Sequence, residues 1–279
     1  MFYVGRFVLL SLMSFSALSA CESPDPYLDD ELIYQPWGPG NYLQFASCIE
    51  PEAIRLVFEV GSRDALDAIF LGYHYNCPVF AFECNPEAID ICHQNVEKYP
   101  FVTVVPYACW NETKTLPFYP VVESNGSLSN PINIGASSLL VTRKDGCDKE
   151  HRQGPPIQVQ AIRLDEWMKE KGIETVDLIC LDCQGATLQV LEGLGQYLDR
   201  VKYIITEVYL NPAFEGEFLF PEISEFLLSH GFIHYNEPSG DFCDVLFVNL
   251  NVYPFNRETN SSNLQAGNSD TYLKRMSKG

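Results

Sequence analysis

Positive charge is scarce in this chain: 18 Lys and Arg stand against 37 Asp and Glu in 279 residues, a formal net charge of −19. Nucleic-acid binding draws on clustered Lys and Arg at the phosphates, so a nucleic-acid partner is excluded. No apolar run reaches the roughly 18–20 residues that span a bilayer as a helix, so no transmembrane span is expected. The glycine-rich G-x-G-x-x-G turn and the Walker A loop are both missing, which argues against a bound pyrophosphate and hence against a nicotinamide dehydrogenase. The five histidines form no H-E-x-x-H or similar ligand spacing. Cys180 and Cys183 are formally C-x-x-C, but residues three apart on a strand point to opposite faces and cannot converge on a metal. No metal site is expected.

What is present divides into four parts. Residues 1–21 (MFYVGRFVLLSLMSFSALSAC) have one early positive charge, an apolar stretch and small residues before Cys21. This is the anatomy of a secretory signal or lipoprotein leader, with Cys21 as a candidate lipid anchor; a buried N-terminal helix is the plainer alternative. Residues 22–40 read as an acidic Pro/Gly-rich tether or surface arm, 41–251 as one domain, and 252–279 as a disordered polar tail. The leader points to export or membrane anchoring. The nine cysteines left after Cys21 cannot all pair, and several sit in strand-like runs, which fits a reducing compartment. Both compartments stay open, the cytoplasm applying if the start is misassigned.

Within 41–251, short apolar runs alternate with helical patterns. Runs at 55–61 (RLVFEVG), 78–84 (PVFAFEC), 101–109 (FVTVVPYAC), 176–184 (VDLICLDCQ) and 201–210 (VKYIITEVYL) are separated by helix-like segments, with a polar loop expected at 122–135. Near-continuous apolar strands between helices predict a doubly wound α/β fold with a mostly parallel sheet. Segments 232–236 and 244–251, joined by Pro-Ser-Gly-Asp, predict an antiparallel last strand. Ligands of such sheets bind beyond the carboxyl ends of the strands, so the strand ends are the residues to read. Gly61 ends the first run and permits close backbone approach, and Glu83 follows 22 residues later, a spacing suited to ribose hydroxyls. A nucleoside without phosphates fits this pair.

The segments VFEVGSRDALDA, VFAFECNPEAIDICHQN, VTVVPYACWNET, GASSLL, VQAIRLDEW and VDLICLDCQGATLQVLEGL together resemble, in order, the motifs of the FkbM-type methyltransferase family over about 55–210. The resemblance implies the S-adenosylmethionine-dependent class I methyltransferase fold, seven strands with the last antiparallel, and O-methylation of hydroxyls on sugars or natural products. It implies that Glu59, Gly61, Ser62 and Arg63 form the first cofactor motif. Glu83, Cys84 and Asn85 then stand at the ribose, and Tyr107 and Ala108 at the adenine. Asp182 matches the Asp of the family's D-x-E-G motif beside the reactive methyl. Four positions depart from the family pattern: Arg63 for Asn, Ala65 for Gly, Cys180 for Lys and Gln184 for Glu, the last two read as ionisable groups lost from the acceptor end.

Methyl transfer to oxygen needs an aligned nucleophile and a group to take its proton. Asp182 is the first candidate for that base or for orienting the acceptor, and Glu207, at the end of the fifth run, is the second. Ser137 and Ser138 are candidates to border the pocket or to form an ordinary polar turn. Asp64 reads as a helix cap. The competing function is an exported or lipid-anchored, catalytically weak protein that keeps the fold and uses the cleft for binding alone. The expected partner is a small-molecule or glycan hydroxyl.

Overall fold

The computed structural model describes residues 25–27, 29–33, 42–124, 132–147 and 150–252. Its central sheet begins with β1 (Val57–Val60), all four residues of which are buried. Helix α1 (Leu66–Tyr75), β2 (Val79–Phe82), α2 (Pro86–Asn95) and β3 (Val102–Val105) follow. A covering region then intervenes: β4 (Ala108–Cys109), β5 (Lys114–Phe118), β6 (Val121–Ser124), β7 (His151–Gln153) and β8 (Ile157–Ile162). The chain returns through α3 (Leu164–Lys171) to β9 (Leu178–Leu181), α4 (Thr187–Gly193), β10 (Tyr203–Tyr209), α5 (Phe220–Ser229), β11 (Phe232–His234) and β12 (Phe242–Asn249).

The strand order is β11-β12-β10-β9-β1-β2-β3, with β12 antiparallel to both neighbours and every other pairing parallel. The expected doubly wound sheet is therefore present, and alternation along its strands shows why. Val57, Leu178, Cys180, Tyr203 and Ile205 join the core beneath α1 and α2, whereas Phe58, Ile179, Leu181 and Ile204 join the core beneath α3, α4 and α5. Successive side chains point to opposite faces, so a strand covered on both sides must be apolar throughout. On the second face Phe58, Phe82 and Trp167 meet edge to face at 5.0–5.8 Å. Truncating Phe58 to Ala would cost about 3–5 kcal/mol.

Of the segment read as a tether or surface arm, residues 29–33 lie as an arm docked on the domain. Leu32 is buried in the first core, Asp29 accepts from the Tyr99 hydroxyl at 2.9 Å and pairs with Lys98 at 3.2 Å, and the Ile33 amide donates to Asn95 at 2.7 Å. An acidic stretch with one apolar anchor can lie flat when a Lys and a buried Asn wait for it. The polar loop expected at 122–135 begins as strand β6, paired with β7, while β4, β8 and β5 form a separate three-stranded sheet. Pro117 and the polar runs in these short strands hide them from a periodicity argument. The leader at 1–21 with Cys21, and the tail beyond 252, lie outside the described residues. Among the described residues no helix is long and apolar enough to cross a membrane.

Candidate active site

The chain leaves β1 toward β2 on one side, and β9 lies on the other, so the order of the sheet reverses between them. The crevice at that switch point opens over the carboxyl ends of both strands. Gly61 makes the turn out of β1 with φ +87°, and a Cβ there would fall on the carbonyl oxygen of Asp182. Gly61 and Ser62 both donate their amides to the Phe82 carbonyl, at 3.0 and 3.1 Å, which ties this turn to β2. The turn is so tight that Arg63 (φ 52°) and Ala65 (φ 60°) also occupy the left-handed region. Ala65 thus adopts the conformation that explains a Gly at this position. The expected cap, Asp64, stands one residue before the N-cap Ala65; it accepts the Leu66 amide at 3.2 Å and pairs with Arg63 at 3.2 Å.

Glu83, at the end of β2, is held by three main-chain donors. Its Oε2 accepts the Arg63 amide at 2.8 Å, and Oε1 accepts the Cys84 and Asn85 amides, each at 2.7 Å. Burial pushes its carboxyl up, while these donors pull it back toward the ionised form. Glu83, Cys84, Tyr107 and Ala108 line a narrow cavity of about 60 Å³, closed by Phe118 and Leu139 from the covering region. Glu59 and Asn85 stand behind this surface rather than on it. Glu59 is 1% exposed and accepts the Ser62 hydroxyl; burial, then the neighbouring Asp67, raises its carboxyl. Asn85 caps α2 by accepting the Glu87 amide at 3.2 Å.

A wider cavity of about 480 Å³ adjoins the first and shares Gly61, Arg63, Gly135 and Asp182 with it. Here the ends of β9 and β10 bring Asp182 and Glu207 together through a residue that the sequence reading had counted as a loss. The Gln184 amide donates to Asp182 Oδ1 at 2.5 Å and to Glu207 Oε2 at 3.4 Å, while its Oε1 accepts the Tyr209 hydroxyl at 3.5 Å. Gln184 has φ 47°, and the Ser138 hydroxyl pins its carbonyl at 2.7 Å. Ser138, together with Ser137, lines the narrow cavity, so both serines do border the site. Burial raises the Asp182 carboxyl, opposed by Gln184 and by the charge of Arg63. His151, on β7, also lines the wider cavity and holds Ser124 at 3.0 Å. No spacing rule marked it, because the covering region carries it there.

Cys180 is corrected as well. It is fully buried in the core beneath α1, on the face opposite Cys183, and does not belong to the acceptor end. All nine described cysteines are free thiols, and no cluster of His, Cys, Asp and Glu able to hold a metal occurs among the described residues.

A family profile described as "Methyltransferase FkbM domain" matches residues 59–233. The chain belongs to that family. This FkbM-family methyltransferase is 29% identical over 219 residues to the 2-O-methyltransferase NoeI of Sinorhizobium fredii, covering 75% of this chain and 85% of NoeI. It is 27% identical over 161 residues to the hexuronic acid methyltransferase AglP of Haloferax volcanii, covering 57% of this chain and 58% of AglP. Among solved structures it is similar to M. capricolum TrmK in complex with S-adenosyl-homocysteine, with a TM-score of 0.42, 14% identity, and coverage of 75% and 67%.

The protein is an S-adenosylmethionine-dependent methyltransferase of the class I fold, and its cleft suits that cofactor. Glu83 would suit a ribose diol, the slot between Tyr107, Ala108 and Leu139 would suit a flat base, and the bare Gly61 backbone packs directly against the Asp182 carbonyl. Arg63, paired with Asp64, lines both cavities and would offer a cation to a bound carboxylate.

Proposed function

We propose that this methyltransferase modifies a hydroxyl on a sugar or small natural product. The observation that carries the reading is the carboxylate pair, Asp182 and Glu207, aligned by one amide at the floor of a cavity large enough for a sugar ring. The name of the 2-O-methyltransferase NoeI supports transfer to oxygen, and that of the hexuronic acid methyltransferase AglP a sugar-class acceptor. S-adenosylmethionine, when bound, supplies a methyl group on a positively charged sulfur. Asp182 accepts the proton of the acceptor hydroxyl as the oxygen becomes the nucleophile, and Glu207 orients that hydroxyl or its neighbour. Gln184 holds both carboxylates in place, which removes their rotamer freedom before the acceptor arrives.

The proton-accepting form of Asp182 is the carboxylate. Burial raises its folded pKa above the ordinary 3.8, so activity is present above that folded value and is lost as pH falls through it. The test is transfer of a labelled methyl group to a panel of methyl glycosides. The parent enzyme is expected to turn over, and Asp182→Asn to lose about 10²–10⁴ in kcat with S-adenosylmethionine affinity within a few-fold. Methylation of amines or thiols in place of every hydroxyl offered would defeat the proposal.

A further inference from the structure

Carboxylates outnumber cations among the described residues that line the wider cavity. The Gln184 amide nitrogen donates to two carboxylates, and the Tyr209 hydroxyl donates to Gln184 Oε1. The floor therefore offers acceptors, namely the oxygens of Asp182, Glu207 and Gln184. Asp67, Glu150 and the exposed Asp241 add further carboxylates to the lining. Asp244 sits directly across the strand pair from Glu207, and burial together with the charge of Asp182 pushes it up to about 6. Against these, Arg63 and His151 are the basic side chains among the described lining residues. Arg63 already pairs with Asp64 and faces the cofactor half as well.

We infer that the acceptor is a non-acidic sugar, neutral or amino-bearing, recognised through hydroxyl or ammonium donors by Asp182, Glu207 and Gln184, and that hexuronates are rejected. This rests on the sugar-hydroxyl reading above and narrows it. A hexuronate would bring another carboxylate into a lining where Asp67, Glu150, Asp182, Glu207 and Asp241 outnumber Arg63 and His151, and like charges brought together in excess are costly. A sugar's hydroxyls, by contrast, donate to these carboxylates without adding negative charge. The preference is built as much by rejection as by attraction. It separates this protein from AglP, whose name specifies a hexuronic acid.

The experiment measures kcat/KM of the full chain for three methyl glycosides: a hexose, the matching 2-amino-2-deoxyhexose and the matching hexuronate. The hexose and the amino sugar are expected to exceed the hexuronate by about tenfold or more. Asp241→Lys, at the exposed rim, is expected to narrow that ratio by about threefold with S-adenosylmethionine affinity unchanged, and added salt to narrow it in the parent. A hexuronate used as well as the hexose overturns the inference and leaves the sugar-hydroxyl reading standing. A ratio that neither Asp241→Lys nor salt alters overturns its electrostatic basis. If none of the three is methylated while S-adenosylmethionine still binds, the sugar-hydroxyl reading falls and the inference falls with it.

Discussion

The two halves of the cleft hold their carboxylates by different means. In the cofactor half Glu83 is fixed by three backbone amides and the wall opposite is the bare turn at Gly61. In the acceptor half Asp182 and Glu207 are fixed by a side chain, Gln184, which is itself held by Ser138 of the covering region. Main-chain recognition demands particular backbone geometry and so constrains residue type locally. Side-chain recognition can be rebuilt by one substitution. A constant cofactor and a changeable acceptor call for this division.

The largest effect is expected from Gly61→Ala, which adds a methyl group where the Asp182 carbonyl already stands and forces φ +87° on a Cβ-bearing residue. It should cost about 3 kcal/mol or more and abolish cofactor binding, read by thermal unfolding and titration; an unchanged Tm would show the turn to be softer than described. Gln184→Glu should lower turnover at neutral pH about tenfold, because it sets a third carboxylate against Asp182 and Glu207. The acid limb of its pH–rate profile should move to higher pH. A uniform loss with no shift in profile would reduce Gln184 to a structural role.

Asp244→Asn sharpens the comparison through stability. The carboxyl of Asp244 is raised to about 6 from 3.8, so the folded state favours its neutral form. Its contribution is fully present below the unfolded value and is lost as pH rises from about 4 to 6. The Asn variant should therefore be about 1 kcal/mol more stable than the parent at pH 8 and show no gain at pH 4, measured as Tm against pH. The smallest effect is Ala65→Gly, which relieves a left-handed alanine at φ 60°. A gain of about 0.5–1 kcal/mol in chemical denaturation is expected.

The same division decides what could be read from the sequence. The sheet, the Gly61 turn and the place of Glu83 were legible because two-sided burial demands apolar runs and main-chain recognition demands Gly, an acid at the strand end and Asn-Pro at the helix start. Asp182 and Glu207 were legible as strand ends. Their link was not: Gln184 looked like a missing acid, since its meaning depends on Glu207, 23 residues away and on another strand. Cys180, placed at the acceptor end because it stands where the family motif has Lys, faces the other core because alternate strand residues diverge. Of the covering region 122–135 was read as a loop, and Ser138 was named as a pocket-border candidate; the short, polar strands, one interrupted by Pro117, carry no period that would have placed His151.

The most direct test of this division is a calorimetric titration of the full chain with S-adenosylmethionine, alongside Glu83→Ala and Asp241→Lys. Micromolar affinity in the parent, about −8 kcal/mol, should fall by about 1–3 kcal/mol in Glu83→Ala and stay unchanged in Asp241→Lys. Equal affinity in the parent and Glu83→Ala, or a loss in Asp241→Lys matching that in Glu83→Ala, would contradict the assignment of the two halves.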